Sequence, residues 1–422
     1  MISNHYDWEP GNRPPTIRRH SEVKHAILRS YLVDYFLTLV SSPAQDRIRL
    51  TIVDGFCGGG CYLNSFGNKV PGSPIVILEA MREAQAKLMD LQQRRKNIDF
   101  DVELICIDES AAAIAFLRGE LEAKGYGYEL EKGTVKTLTG TFKDLAPQVI
   151  QRASDRSPKS GRAIFVLDQY GYKAVPRSTL ASIFNTLERA EVILTFNVDS
   201  LINYLSPGTL AAFEQSTGFT GAVTAADLDR SIRSPGWRVH IQSSLYSNIT
   251  GGSGANFFTP FFIRPERGHG DFWLLHLSRH WKARDVMATA HWRYHNHFGH
   301  YGLPGFNMLH TGYAAKLNPE NSFQAAFEFD DLAKSASNEA MLSQIPPMLA
   351  KYPDGIPFGV FFLQNINTTP ATRKMIQESV LELVRGKEIH VVDEIGQKRN
   401  VRTDLRDEHI LRLPAQKSFL FN

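Results

Sequence analysis

The sequence predicts a doubly wound α/β domain whose parallel sheet ends in an antiparallel hairpin, followed by a smaller winged-helix-like α+β domain. Three observations predict it. Between about 48 and 205, short apolar runs alternate with helical stretches, and several runs lack polar alternation. Strands read that way when helices cover both faces of a parallel sheet. Two aromatic-rich runs within 256–280 flank a polar segment with Gly268 and Gly270, a hairpin signature. Beyond about 336 the order becomes helix, helix, strand, basic turn, strand.

Taken in order, residues 1–20 read as a polar arm with Pro14-Pro15 and a basic Arg18-Arg19. In SEVKHAILRSYLVDYFLTLV, apolar Val23, Ile27, Leu28, Tyr31, Leu32 and Tyr35 recur at helical spacing, with Ser21 as N-cap. The α/β region then runs RLTIVD (strand), PIVILEAMREAQAKLMDLQQ (helix), VELICID (strand), SAAAIAFLRGELEA (helix), TVKTLTG (strand), FKDLAPQVIQ (helix), AIFVLD (strand), STLASIFNTLERA (helix) and EVILTFNV (strand). A Ser-, Thr-, Gly- and Asp-rich stretch at about 206–255 reads as an insertion, and NFFTPFFIRPERGHGDFWLLHLSRH supplies the hairpin. The tail offers helices in ASNEAMLSQIPPMLAKYP and TPATRKMIQESVLELVRGK, then a wing whose tip carries Lys398, Arg399 and Arg402. This divides the chain into an arm and helix (1–47), an α/β domain (48–335) and a C-terminal domain (336–422).

At 422 residues, with 43% hydrophobic and 22% charged residues, the composition is that of a globular protein of two or three units, not a disordered one. Its 47 basic against 44 acidic residues permit nucleic-acid contact without arguing for it. No run approaches the ~18 apolar residues of a membrane span, and MISNHYDWEPGNRPPTIRRH lacks a signal peptide's apolar core. A cytoplasmic protein with no membrane partner is expected. Three cysteines, Cys57, Cys61 and Cys106, are too few for a disulfide framework; they read as buried thiols, with a metal site as the alternative.

Candidate chemistry falls at the C-terminal ends of four successive strands, where open α/β sheets bind ligands. The first is Asp54-Gly55-Phe56-Cys57-Gly58-Gly59-Gly60, four glycines within six positions. Either a ligand approaches this backbone closely or the chain makes a tight structural turn. Here Asp54, Phe56, Gly58 and Gly60 are the binding candidates. The second is Asp108, placed to accept from both ribose hydroxyls of a nucleoside ligand, or else to cap the next helix. Third come Thr141 and Phe142, near an expected adenine edge, with an ordinary loop as the favoured alternative. The fourth is Asp168-Gln169-Tyr170-Gly171-Tyr172: a carboxylate accepting from an exocyclic amine while a ring stacks on its face makes Asp168, Gln169 and Tyr170 the catalytic candidates, unless Asp168 caps the next helix and Tyr170 packs. A further cluster, His291, His295, His297 and His300, has one i, i+4 pair but no Glu after the first His, so cleft lining competes there with metal binding.

These blocks, with GSPIV at 72–76, FVLDQYG at 165–171, LLHLSRHWKARDVM at 274–287 and the early VKHAILRSYL, resemble the three-Cys-motif partner protein family, TcmP. The resemblance covers most of the chain. It implies a methyltransferase-like domain using S-adenosylmethionine (SAM), of bacterial or phage origin, and a protein partner carrying the three-Cys motif. The block at 168–171 is also similar to the Asp-Pro-Phe-Gly motif of tRNA guanine-N2 dimethyltransferases, and more loosely to the Asp-Pro-Pro-Tyr motif of amino-methylating DNA enzymes, but has Gln169 where proline is usual. The stretch from Gly60 to Asp108 also exceeds the usual spacing of about 20 residues from glycine turn to acid.

Expected, then, is a SAM-dependent methyltransferase acting on an amino group of a nucleobase, with Asp54, Gly58 and Gly60 at the methionine end, Asp108 at the ribose, and Asp168 with Tyr170 at the target amine. The alternative is a non-catalytic nucleic-acid-binding adaptor with a vestigial SAM fold. A nicotinamide-dependent oxidoreductase is disfavoured, because Leu63 stands where the third glycine of G-x-G-x-x-G would fall.

Overall fold

Apolar side chains at helical spacing wind residues 19–39 into α1 (Arg19–Leu39), which buries Ile27, Leu28, Tyr31, Leu32, Val33, Tyr35 and Phe36 along one stripe. The helix starts two residues before the expected cap. Arg18 is the N-cap without a side-chain capping hydrogen bond, while Ser21 lies inside the first turn. The computed structural model describes residues 6–41, 45–90, 98–197, 201, 204–226, 228, 237–263, 272–293, 304–307, 331–393, 399, 401 and 404–414. They belong to two compact units, 1–298 and 299–422.

The first unit is built on a seven-stranded sheet. Its strands are β1 (Arg47–Asp54), β4 (Asp99–Asp108), β5 (Val135–Thr139), β6 (Arg162–Leu167), β7 (Arg189–Asn197), β8 (Phe257–Ile263) and β9 (Phe272–Ser278). A small hairpin, β2 (Cys61–Leu63) with β3 (Lys69–Pro71), interrupts the run after β1, in a stretch where the sequence suggested no strand. Spatial order is β5-β4-β1-β6-β7-β9-β8. The first five strands are parallel, and β9 lies antiparallel between β7 and β8. The expected closing hairpin is therefore present, inserted so that the last strand in sequence is not the edge. Helices cover both faces: α1 packs with α2 (Ser73–Asp90) and α9 (Trp281–Arg293), while α5 (Phe142–Arg156), α6 (Arg177–Thr186) and α8 (Trp237–Ser253) form a contiguous layer. Two further helices, α3 (Ala111–Ala123) and α4 (Gly127–Glu131), connect β4 to β5, and α7 (Leu210–Thr217) precedes α8.

Register brings three acids together. Asp54 ends β1 and pairs with Cys106 of β4 on one side and Val166 of β6 on the other. Asp108 and Asp168 each lie two residues further along those neighbours, so three adjacent strands present a carboxylate at the same edge of the sheet. The strands read as uninterrupted apolar runs because Ile52, Val53, Ile105, Ile107, Phe165 and Leu167 are buried between the helical layers.

The second unit contains α10 (Asp331–Leu349), β10 (Ile356–Pro357), α11 (Phe358–Asn365), α12 (Arg373–Arg385), β11 (His390–Val392) and β12 (Ile410–Arg412). Its three strands make an antiparallel sheet in the order β10-β12-β11. This is a winged-helix arrangement. Thr372 caps α12 by accepting from the Met375 N–H, and Met341, Ile345, Phe358, Phe361, Ile376, Val380 and Leu411 fill the core. At the wing, Arg399 is paired with Asp393 at 2.8 Å; Lys398 and Arg402 lie outside the described residues. No helix among the described residues is long and apolar enough to cross a membrane.

Candidate active site

The glycine turn after β1 is packed by the chain itself. A Cβ on Gly59 would stand 2.3 Å from the Trp8 ring, and one on Gly58 2.6 Å from it. On Gly60 a Cβ would meet Leu117 at 2.4 Å, and on Gly55 it would meet Leu167 at 2.7 Å. The expectation that these glycines clear room for a ligand needs this correction: the volume next to their Cα atoms holds protein side chains. Gly58 and Gly60 also adopt φ values of 55° and 71°, which favour glycine. Nor is the N-terminal arm a detached polar segment. Trp8 and Ile17 are buried, the Trp8 indole N–H donates to the Cys61 carbonyl at 2.9 Å, and the Ile17 N–H donates to the Leu63 carbonyl at 2.8 Å. Tyr6, Trp8 and Tyr62 form an aromatic cluster with centroids 5.2–5.8 Å apart.

Asp54 is fully buried at the head of this turn. Its Oδ1 accepts from the Phe56 N–H at 3.4 Å, while Oδ2 has no hydrogen-bond partner among the described residues. Burial pushes its pKa up to about 7; the Ser73 hydroxyl and the Phe56 N–H oppose this, and Asp168 and Asp108 repel its charge. Asp108 is half-buried. Its Oδ2 accepts from the Gly58 N–H at 3.0 Å and its Oδ1 from the Ser110 N–H at 2.9 Å. The capping role belongs to Ser110, which accepts from the Ala113 N–H. A buried carboxylate with an orphaned oxygen and a half-buried carboxylate held by a glycine N–H suit the cationic amine and the ribose hydroxyls of SAM.

At the end of β6, Asp168 meets a residue that sequence reasoning missed. The Lys24 ammonium, on α1, donates to both of its oxygens, at 2.6 Å to Oδ1. Their side chains are 12% and 36% exposed respectively. Burial raises the Asp168 pKa, but the pairing with Lys24 and a hydrogen bond from Thr195 outweigh it and hold the carboxyl below its ordinary range. On the same helix, His20 and His25 are both pushed down to about 4, by burial first and by Lys24 next. Tyr62 faces the same acids: burial, then the charge of Asp168, raises its pKa well above the ordinary value. His25 lies against the Tyr62 ring at 6.0 Å. One signal was available, for Lys24 precedes Ile27, Leu28 and Tyr31 by three, four and seven residues and so falls on the buried stripe of α1.

The other predicted residues have structural roles or stand apart. Gln169 is buried and its Oε1 accepts from the Val175 N–H at 3.1 Å, which folds the 169–175 loop back on itself. Tyr170 is 64% exposed, and Tyr172 packs on Phe196 and Phe213. Thr141 caps α5, accepting from the Asp144 N–H and donating to its carboxylate. Phe142 is core, with its ring 5.9 Å from Phe56 and 6.4 Å from Phe165. All three cysteines are free and buried, and Cys57 is pushed well up by burial and by its neighbour Cys106. His291 is buried and stacks on Phe261; His295, His297 and His300 lie outside the described residues.

Residues 312–396 match the family described as GMT-like wHTH domain. No curated protein matches this sequence. Among solved structures, a DUF519-family protein of Legionella pneumophila is 10% identical over 62% of this chain and 85% of its own, with a TM-score of 0.35. A SAM-dependent methyltransferase from Agrobacterium tumefaciens is 11% identical over 63% of each chain, under two thirds of its length, with a TM-score of 0.31. An O-methyltransferase from Bacillus cereus, crystallised with SAH, is 11% identical over 61% of this chain and 82% of its own, with a TM-score of 0.32. Scores this low leave function to the chain's own geometry. On that ground the first unit has the methyltransferase-type fold, with an antiparallel seventh strand between the fifth and the sixth, and the second unit is a winged helix.

Proposed function

We propose that this protein is a SAM-dependent methyltransferase that modifies an amino nitrogen of a nucleobase. The carrying observation is the row Asp108, Asp54, Asp168 on three adjacent strands at the C-terminal edge of a methyltransferase-type sheet. When bound, SAM supplies a methyl group already activated by a sulfonium. The protein's tasks are to hold, align and exclude water. Asp54 receives the cationic amine of the methionine end, Asp108 the ribose hydroxyls, and Asp168 an N–H of the acceptor. Tyr170, 64% exposed and two residues after Asp168, is the ring assigned to stack on a planar base. The TcmP likeness and a nucleic-acid role for the winged helix belong to this same proposal.

A second reading has specific support. Trp8 fills the space beside two of the glycines and Lys24 occupies Asp168, as expected of an adaptor whose site has closed. Titration calorimetry with SAM, using NAD as control and Asp108→Ala as a second sample, separates the two. Saturable SAM binding that weakens at least roughly tenfold in the variant supports the enzyme, since a charged hydrogen-bond acceptor is worth about 1.5–3 kcal/mol. Absence of heat with SAM favours the adaptor.

A further inference from the structure

We propose that Lys24 is a positioning residue that neutralises and aims Asp168, leaving a charge-paired carboxylate whose remaining acceptor capacity suits an uncharged amino group and not an alkylammonium. The inference rests on the methyltransferase reading and deepens it to a substrate class. A carboxylate offers about four acceptor positions on two oxygens. Lys24 takes one on each oxygen and the Thr195 hydroxyl also favours the charged form, which leaves a lone pair for an incoming N–H. The surrounding groups add little charge: α1 contributes His20 and His25, both neutral at physiological pH, with Arg18 beyond His20, and β2 contributes the un-ionised Tyr62. Asp54 and Asp108 stand at the same edge of the sheet and are assigned to the cofactor. An ammonium from a lysine side chain would find no unpaired anion at Asp168 and would have to displace Lys24. The exocyclic amine of a base carries no charge and needs only the remaining lone pair. Lys24 thus sets specificity through charge balance.

A mere tether between α1 and the sheet would keep Asp168 near Lys24 without tuning it, and carboxyl NMR separates the two roles. In protein labelled with ¹³C-aspartate, the Asp168 signal is identified by its loss in Asp168→Asn. In the wild type it should not titrate above the ordinary carboxylate range. In Lys24→Met, with the ammonium gone and only the Thr195 hydroxyl left to oppose burial, its midpoint should move up, and Lys24→Arg should restore it. Identical midpoints in wild type and Lys24→Met, with both proteins folded by circular dichroism, would overturn the proposal. Transfer from tritiated SAM is then offered to a pool of unmodified RNA and DNA and, separately, to a lysine-rich peptide. Label in nucleic acid alone, reduced at least roughly a hundredfold by Lys24→Met and rescued by Lys24→Arg, is the expected result. Label in the peptide, or in neither pool although SAM binds by calorimetry, refutes the acceptor class. Failure to bind SAM at all instead refutes the methyltransferase reading.

Discussion

Asp54→Asn should make this protein more stable at high pH and worse at binding its cofactor. The carboxyl is fully buried, its Oδ2 has no hydrogen-bond partner within normal distance among the described residues, and its pKa is raised from 3.8 to about 7 in spite of the nearby Ser73 hydroxyl. An acid that holds its proton more tightly when folded destabilises the fold as pH rises: the cost is absent below about pH 4, grows between 4 and 7, and is complete above 7. At about 1.4 kcal/mol per tenfold change in proton affinity, the full cost is ~4 kcal/mol. Asparagine keeps the shape and the acceptor for the Phe56 N–H but never ionises. The stability advantage of Asp54→Asn over wild type should therefore grow by roughly 2–3 kcal/mol between pH 5 and pH 8. Guanidinium denaturation of both proteins without SAM, followed by circular dichroism across that range, measures it. A difference that stays constant with pH would refute the assignment of Asp54 as a strained, ionisable group. Calorimetry on the variant should show weaker SAM binding, the trade of stability against function expected at a binding site.

Two smaller perturbations test the packing assignments. Gly59→Ala should cost about 1–3 kcal/mol in denaturation experiments, because its methyl group would meet the Trp8 ring at 2.3 Å; an unchanged midpoint would show that the ring moves freely. Thr141→Ala should lower stability by about 1 kcal/mol through loss of the α5 cap while SAM affinity stays the same, and a clear drop in affinity would return Thr141 to the cofactor site.

The sheet was legible because its signal is local. A run such as AIFVL, apolar on both faces, has few homes other than a covered parallel strand, and the aromatic pair around 256–280 announced the antiparallel end. The acids at the strand ends were legible for the same reason, each being the first polar residue after such a run. What stayed hidden depends on distance along the chain. Lys24 and Asp168 are 144 residues apart and Trp8 and Cys61 are 53 apart, and no periodicity connects them. Short elements were equally opaque: β2 and β3 have three residues each, too few for alternation to show. At Thr141 a helix cap and a ligand-binding hydroxyl look alike at a strand end, and the Asp three residues later is the sequence signal for the cap. Arg399 of the wing is paired with Asp393, six residues earlier, a partner that a reading of the basic tip alone passes over.

The seating of Trp8 on Gly58 and Gly59 makes those positions a coupled unit in evolutionary terms. A larger residue at either glycine is tolerable only once the indole has been replaced by something small, and shrinking the indole first opens a hole over the turn. Each step alone is unfavourable, so lineages carrying this arrangement are held in it by epistasis, whether or not the site still binds a cofactor. A glycine-rich turn inherited in this way would outlast the loss of catalysis, because its smallness is required by the protein's own amino-terminal arm.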